Sequence, residues 1–262
     1  MNKFTRRTVI AAACAAAAMT FGPMSFAQQA PEKKDVTIAV GGKSLYYYLP
    51  LSIAEQLGYF KDEGLNVKIV DFQGGSRSLQ AVVGGSADVV SGAFEHTISM
   101  QAKKQPMTAF VLQGRAPQLA LVVSNKTMKD YKQLSDLKGK KVGVTAPGSS
   151  SQMVANFILK KGGLGPKDVA FIGVGSSSGA VSAIRSGQID ALINLDPVIT
   201  ILLKNGDAKL VADTRKVKES ESFFGGTMPA GCLYAPVSFI EKNPQTVQAL
   251  TNAIVRADEW LS

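Results

Sequence analysis

One short pattern occurs twice in this chain, and this repeat constrains the fold more than any other feature of the sequence. In each copy a loop of small residues precedes a helical segment, a glycine turn and an apolar strand segment. The copies span residues 74–90 and 176–192, with Asp88 and Asp190 at equivalent positions 102 residues apart. Solenoid repeats recur every ~20–50 residues, so this longer offset indicates two α/β lobes of one plan. Facing loops from two such lobes form a cleft suited to a small ligand.

The order of predicted strands and helices supports this plan. Strands alternate with helices over residues 35–112 and again over 141–212, which indicates mainly parallel sheets. A strand at 119–123 carries the chain into the second lobe and one at 230–234 returns it, so two crossover strands form a hinge. The predicted lobes are 35–117 together with 230–262, and 118–229. We expect Asp88 and Asp190 to cap or orient their glycine turns.

The N-terminal segment has the pattern of an export signal. Three cations precede a short apolar stretch, and Ser25-Phe26-Ala27 resembles a cleavage site. The paired arginines fit a twin-arginine signal and an ordinary secretory signal about equally well. We therefore predict a signal peptide at 1–27, export to the periplasm, and a mature chain that begins near Gln28.

Composition excludes several classes of function. The net charge of +9 falls to +6 without the three cations of the predicted signal, and the remaining basic residues form scattered pairs rather than a stripe with aromatics. Nucleic-acid binding is therefore not expected. Outside the signal the chain has one cysteine, Cys232, and one histidine, His96, which excludes an internal disulfide and metal sites built on these residues. No nucleophile–base pair has a recognisable spacing, so we expect neither a cofactor nor an enzyme.

Small-residue loops follow the predicted strands in both lobes and supply most of the candidate ligand-binding residues. Glycine lets the backbone approach a ligand closely, serine adds a hydroxyl, and helix N-termini attract anions. Each loop alone can also be an ordinary capped β-to-α turn. Their occurrence after several strands of both lobes favours a binding cleft. The candidates in these loops are Gly42, Ser44, Gly75, Ser76, Gly92, Gly148, Ser149, Ser150 and Ser177.

Further candidates lie beside these loops. Tyr46 is the first of three adjacent tyrosines, at least one of which should face a pocket, and Phe94 follows the third strand. Arg115, near the predicted hinge, either clamps a carboxylate or sulfonate with two hydrogen bonds or is an exposed linker residue. Asn194 and Asp196 belong to the cleft rim. Asp196 either meets a ligand ammonium or caps the next helix.

Three segments resemble periplasmic substrate-binding proteins of ABC importers. They span 53–65, 137–144 and 187–191, and they are similar to the nitrate/sulfonate/taurine-binding family, which also includes binders of thiamine-pyrimidine precursors. The resemblance covers residues 35–262. It implies an α/β, two-lobe periplasmic-binding-protein fold of type II, with mixed, mainly parallel sheets and two crossover strands as the hinge. The family usually runs beyond residue 262, so we expect the first lobe to be incomplete at its C-terminus.

The resemblance also implies a function. A small, anionic organic solute, of the sulfonate, taurine, nitrate or carboxylate kind, binds between the lobes of a monomer and is delivered to ABC permease subunits in the membrane. The alternative is a pyrimidine-precursor binder or a synthase-like enzyme of the same fold. The fungal pyrimidine synthase has a cysteine-rich iron-binding run, which is missing here because only Cys232 lies outside the predicted signal. A receptor that presents its ligand to a sensor is a further possibility.

Overall fold

The computed structural model describes residues 29–262, of which Pro31–Ser262 form one compact unit. The predicted signal peptide lies outside the described residues. The strands are β1 Asp35–Val40, β2 Asn66–Asp71, β3 Val89–Ala93, β4 Met107–Leu112, β5 Ala120–Ser124, β6 Lys141–Val144, β7 Ala170–Gly173, β8 Ala191–Asn194, β9 Ala208–Asp213 and β10 Gly231–Pro236. The α-helices are α1 Leu49–Gln56, α2 Tyr59–Asp62, α3 Gly75–Val83, α4 Glu95–Ala102, α5 Ser150–Lys161, α6 Ser178–Ser186, α7 Val198–Lys204, α8 Val217–Phe224, α9 Val237–Lys242 and α10 Pro244–Leu261.

The described strands form two five-stranded sheets with the same topology. Sheet 1 has the order β2-β1-β3-β10-β4, and sheet 2 has the order β7-β6-β8-β5-β9. In each sheet three strands pair in parallel, and the fourth position is taken by an antiparallel strand that enters from the other half of the chain. That strand is β5 in sheet 2 and β10 in sheet 1. The predicted α/β fold with two crossover strands is therefore confirmed.

The repeat is also present in the polar contacts at the start of each sheet. Asp88 Oδ2 accepts a hydrogen bond from the Thr37 N–H in β1 at 2.9 Å, and Asp190 Oδ2 accepts one from the Lys141 N–H in β6 at 3.0 Å. The expectation that these carboxylates act on their own glycine turns is therefore wrong. They bind the neighbouring parallel strand instead, because the start of that strand leaves an N–H without a ladder partner.

Helices cover both sheets with apolar side chains. Leu250 and Ile254 of α10 are fully buried and belong to the same cluster as Leu51 of α1 and Ile38 of β1. This packing places α1 and α10 on one face of sheet 1. Within the described residues, no helix is both long and apolar enough to cross a lipid bilayer.

Candidate ligand-binding site

Loops at the carboxyl ends of the parallel strands of the two sheets contact each other directly. The Ser76 N–H, in the first turn of α3, donates to Ser149 Oγ at 3.0 Å, and Ser76 Oγ donates to the Pro147 carbonyl at 2.9 Å. The two hydroxyl oxygens are 3.2 Å apart. Two of the predicted site residues, 73 positions apart in the chain, therefore meet across the junction of the sheets.

Two glycines permit this close approach. Gly42 has φ +108°, and a Cβ placed on it would overlap Ser176 Oγ from sheet 2. Gly74 has φ +99°, and its Cβ would lie 2.8 Å from the Ala146 Cβ. L side chains rarely adopt either backbone conformation. Glycine is thus required at both positions by the backbone angle and by the opposing loop.

Asp196 lies at the same junction and accepts hydrogen bonds from three residues. Its carbonyl accepts the Tyr46 N–H at 3.1 Å. Its Oδ1 accepts from both the N–H and the hydroxyl of Thr200, at 3.0 and 2.7 Å, in the first turn of α7. Its Oδ2 accepts from Arg215 Nη1 at 3.0 Å. Both carboxylate oxygens are therefore engaged within the protein, an arrangement that favours the helix-capping interpretation of Asp196.

Arg215 is a residue that sequence reasoning missed. Its guanidinium forms a bidentate pair with Asp213, with Nε–Oδ1 and Nη2–Oδ2 distances of 2.8 Å. Burial opposes ionisation of Asp213, yet the hydrogen bonds and charge of Arg215 hold the pKa of this carboxyl below its usual value. A usable signal was present, because Asp213 ends β9 at the same sheet edge as Asn194, and Arg215 follows two residues later.

A cavity of about 310 Å³ opens at this junction and brings together several predicted residues. Tyr46 is largely exposed and Arg115 is exposed, and both line the cavity with Asp196. Among the described residues, the Arg115 guanidinium forms no ion pair, unlike that of Arg215. The lining residues are Tyr46, Tyr47, Arg115, Ala116, Gln118, Asp196, Arg215 and Val217.

A second cavity of about 300 Å³ lies beside the Ser76–Pro147 contact. Side chains from α3, the loop after β6 and the start of α6 enclose it. It is lined by Gln73, Arg77, Thr145, Ala146, Pro147, Gly173, Val174, Gly175, Gly179, Ala183 and Gln188. Polar groups and backbone amides therefore flank the inter-sheet contact on this side too.

The other predicted site residues described next are not among the lining residues of these two cavities. Gly92 is within β3 and packs against Val90 and Tyr234, and Asn194 is fully buried, with its amide bonded to the Gly175 carbonyl and the Leu195 N–H. Gly75 packs on the His96 ring. Phe94 is half-buried at the start of α4 and donates its N–H to the Ala230 carbonyl. Gly148, Ser44 and Ser177 are exposed, and Ser150 is partly exposed at the start of α5.

A buried polar group lies beneath the carboxyl edge of sheet 1. Burial raises the pKa of Glu95 to about 7 and lowers the pKa of His96 to about 4. His96 Nδ1 lies 2.9 Å from the Tyr234 hydroxyl. Within the described residues, no group of three or more His, Cys, Asp or Glu side chains is arranged to hold a metal ion.

Solved structures share this architecture. A protein from Bordetella bronchiseptica RB50 is 64% identical with a TM-score of 0.87, over 88% of this chain and 73% of that one. The alkanesulfonate-binding protein SsuA from Xanthomonas axonopodis pv. citri, bound to MOPS, is 21% identical with a TM-score of 0.70, over 88% of this chain and 75% of that one. The predicted periplasmic-binding-protein fold is thereby confirmed.

Two curated relatives are named for different functions, one as a binding protein and one as a synthase. YtlA of Bacillus subtilis (strain 168), provisionally named a binding protein, is 26% identical over all of this chain and 75% of its own length. A 4-amino-5-hydroxymethyl-2-methylpyrimidine phosphate synthase of Candida albicans (strain WO-1) is 24% identical over 86% of this chain and 67% of its own. The family model described as NMT1/THI5 like matches residues 46–262. This chain therefore belongs to the NMT1/THI5-like family.

Proposed function

We propose that this protein is the extracytoplasmic solute-binding component of an ABC-type importer. It captures a small anionic organic solute, of the sulfonate, taurine, nitrate or carboxylate kind, between its two sheets and delivers it to the permease subunits. It is a carrier and not an enzyme. The support is the shared fold with binding proteins of ABC import systems and the similarity to YtlA, which is named as a binding protein.

The observation that carries the proposal is the meeting of small-residue loops from both sheets. The Ser76–Ser149 contact closes the junction with hydroxyls and main-chain groups rather than apolar packing. A solute that binds both loops interacts with the closed arrangement more strongly than with an open one. That difference in affinity drives closure.

The charge of the solute is inferred from the groups at this junction. Arg115, which forms no ion pair within residues 29–262, lines one cavity, and Arg77 lines the other. The helices α3, α5 and α6 begin at the junction of the sheets, and the partial positive charge of their N-termini favours anions. These features together support an anionic ligand.

A thermal-shift screen tests this function. The panel contains taurine, alkanesulfonates, nitrate, aromatic carboxylates and neutral pyrimidines. We expect an anion to raise the melting temperature increasingly with concentration, with an affinity near micromolar, about −8 kcal/mol. If neutral pyrimidines alone raise it, the anionic solute is ruled out.

The remaining parts of the proposal concern location and organisation. We propose that residues 1–27 direct export to the periplasm and that the mature protein is a monomer. Lobe 1 would then comprise 35–117 with 230–262, and lobe 2 would comprise 118–229. Fractionation of cells that express the full chain, with N-terminal sequencing and light scattering, checks the first two points. A cytoplasmic, uncleaved product would contradict export.

A second candidate is a pyrimidine-precursor binder or a synthase-like enzyme of the same fold. The observation in its favour is that several matched relatives are named as pyrimidine phosphate synthases, at 23–26% identity. The chain spans 63–67% of the length of these relatives. Recovery of a bound pyrimidine from the purified protein by mass spectrometry would favour this candidate, whereas recovery of an anionic solute would favour the carrier.

A further inference from the structure

The positive charge of this protein is concentrated in one half of the molecule. Residues 118–229, which contain all five strands of sheet 2, carry 15 lysines and arginines against 9 aspartates and glutamates. Residues 29–117 and 230–262, which contain sheet 1, carry 11 of each kind. The net charge of +6 outside the predicted signal therefore belongs entirely to the sheet 2 half. Such an asymmetry indicates a partner of opposite charge.

Within that half, the excess charge lies in the segments at the amino ends of the parallel strands of sheet 2. We call this surface the basic face; it comprises residues 125–141, 160–169, 185–190 and 204–207. It carries ten lysines and one arginine against five aspartates, an excess equal to the net charge of the whole half. The candidate ligand-binding site lies at the carboxyl ends of the same strands, so the basic face is at the opposite end of the sheet.

Hydrogen bonds join the four segments into one surface. Donors in the first segment reach each of the other three: the Gly139 N–H donates to the Asp168 carbonyl at 2.7 Å, Lys126 Nζ to the Ser186 carbonyl at 3.0 Å, and the Asn125 N–H to the Asp207 carbonyl at 3.0 Å. The lysines that the chain distributes over 79 positions, from Lys126 to Lys204, are thus brought to one end of the molecule.

The lysines of the basic face are not paired with acidic side chains of the described chain. Nine of the ten are exposed, and none of them forms an ion pair within residues 29–262. Four of the five aspartates bind groups of the protein itself. Asp136, Asp168 and Asp190 accept backbone N–H groups, and Asp207 pairs with Arg185. These carboxylates are committed to the fold, so most of the lysine charge is left for an external partner.

The composition of the face indicates the chemistry of that partner. Interfaces between proteins are enriched in arginine and aromatic residues and depleted in lysine, whereas this face has ten lysines and one arginine. None of the large hydrophobic side chains exposed in the described part of the chain belongs to it, so it has no apolar anchor. A lysine carries a hydrated point charge on a flexible stem. Many such charges on one surface suit a fluid array of anionic lipid headgroups.

We infer that the basic face holds the protein against a bilayer surface that contains anionic phospholipid headgroups. The attraction is electrostatic and needs no insertion into the hydrocarbon. In this orientation the carboxyl edge of sheet 2, with the candidate binding site, points away from the lipid and stays open to the solution. The inference goes beyond the carrier function, since it concerns a different surface and does not depend on the solute.

Co-sedimentation with lipid vesicles tests this inference. The protein is used as cells release it, with the N-terminus found by the fractionation described above. Vesicles of phosphatidylcholine alone are compared with vesicles in which half of the lipid is phosphatidylglycerol, at an ionic strength of about 0.15 M. We expect binding to phosphatidylglycerol at least about tenfold tighter than to phosphatidylcholine, with release as the salt concentration is raised. Equal binding to both kinds of vesicle, or binding to neither, would overturn the inference.

Two variants with the same change of charge locate the surface. The face variant replaces four exposed lysines of the basic face by glutamine, and the control variant does the same in the sheet 1 half. The face variant carries Lys129→Gln, Lys132→Gln, Lys138→Gln and Lys141→Gln, and the control carries Lys34→Gln, Lys61→Gln, Lys68→Gln and Lys242→Gln. We expect the face variant to bind phosphatidylglycerol vesicles at least about tenfold more weakly than the wild type, and the control less than about threefold. Arginine at the same four face positions should preserve binding, because the positive charge is retained.

The remaining outcomes each decide against the inference. Equal losses in the face and control variants would mean that binding follows net charge and not this surface. If the wild type ignores phosphatidylglycerol vesicles but binds duplex DNA through the same lysines, the partner is a nucleic acid. The carrier function is tested independently, because the face variant should keep the wild-type affinity for any solute found in the thermal-shift screen.

Discussion

The neighbouring residues Glu95 and His96 have pKa values that burial shifts in opposite directions. Burial raises the pKa of Glu95 from 4.5 to about 7, and it lowers the pKa of His96 from 6.5 to about 4, against the effect of the Gly148 backbone. Folding therefore favours a protonated Glu95 and a neutral His96. The contribution of Glu95 to stability is complete below pH 4.5 and is lost as the pH rises to about 7. The contribution of His96 is complete above pH 6.5 and is lost as the pH falls to about 4.

These opposing contributions nearly cancel in the wild type, and single substitutions separate them. The free energy of unfolding of Glu95→Gln, relative to the wild type, should rise by about 3 kcal/mol between pH 4.5 and 7. That of His96→Asn should fall by a similar amount between pH 4 and 6.5. Urea unfolding at a series of pH values measures both differences. Variant curves parallel to the wild-type curve would contradict the prediction.

Gly74 is a second position where a single residue decides a property of the whole molecule. The Gly74→Ala side chain would collide with Ala146 and prevent the loops from meeting. We expect solute affinity to fall at least about tenfold. Gly206→Ala is the matched control, since Gly206 also has a positive φ, +69°, but open space around its Cα. Gly206→Ala should lose about 1–2 kcal/mol of stability from backbone strain. Gly74→Ala should lose more, because Gly74 (φ +99°, ψ 153°) lies in a region that is essentially restricted to glycine, and only Gly74→Ala should lose binding by calorimetry.

At the scale of elements, equivalent residues in the two copies of the repeat make equivalent hydrogen bonds. Asp88 and Asp190 each connect the turn before one strand to the start of the parallel strand beside it. Asp88 also pairs with Lys33 at 2.8 Å. Such charge-assisted bonds are shorter and stronger than neutral ones.

We expect Asp88→Asn and Asp190→Asn each to destabilise the protein by about 1–2 kcal/mol, because each replaces a carboxylate bond to a backbone N–H by a weaker amide one. Asp88→Asn should cost slightly more, since it also removes the ion pair with Lys33. Denaturant unfolding measures both changes. If one variant is destabilised and the other is not, the two hydrogen bonds are alike in geometry but not in their contribution to stability.

At the scale of the whole molecule, the proposed binding requires contact between two sheets that share one compact unit. Ser149 is almost fully buried in that contact although it lies in a loop. A bulky side chain there would separate the loops while leaving each sheet intact.

Ser149→Leu should therefore remain folded, with an unchanged circular dichroism spectrum, but should lose solute binding. Small-angle scattering should show that a solute found in the screen compacts the wild type and leaves the variant unchanged. Ser135→Leu, at an exposed position, provides the control for added apolar bulk. Unchanged affinity in Ser149→Leu would remove this loop from the binding site.

Local pattern alone predicted much of the architecture. The repeat, the alternation of strands and helices, and the small-residue loops indicated two sheets joined by two crossover strands, as the structure has them. Short-range periodicity encodes strands and helices, and loops of glycine and serine mark where strands end. Ser76, Ser149, Tyr46, Arg115 and Asp196 were selected on this basis, and the structure places them at the junction of the sheets.

Only the tertiary structure decided which groups meet and which are hidden. The pairing of Arg215 with Asp196 joins residues 19 positions apart, and the burial of Glu95 and Gln113 depends on β10 returning from the far end of the chain. Gly92 and Asn194 follow the same loop pattern but are enclosed within their sheets. Side-chain identity shows what a group can bind, whereas strand register and the approach of the two sheets determine whether it is reachable, and that information is not local.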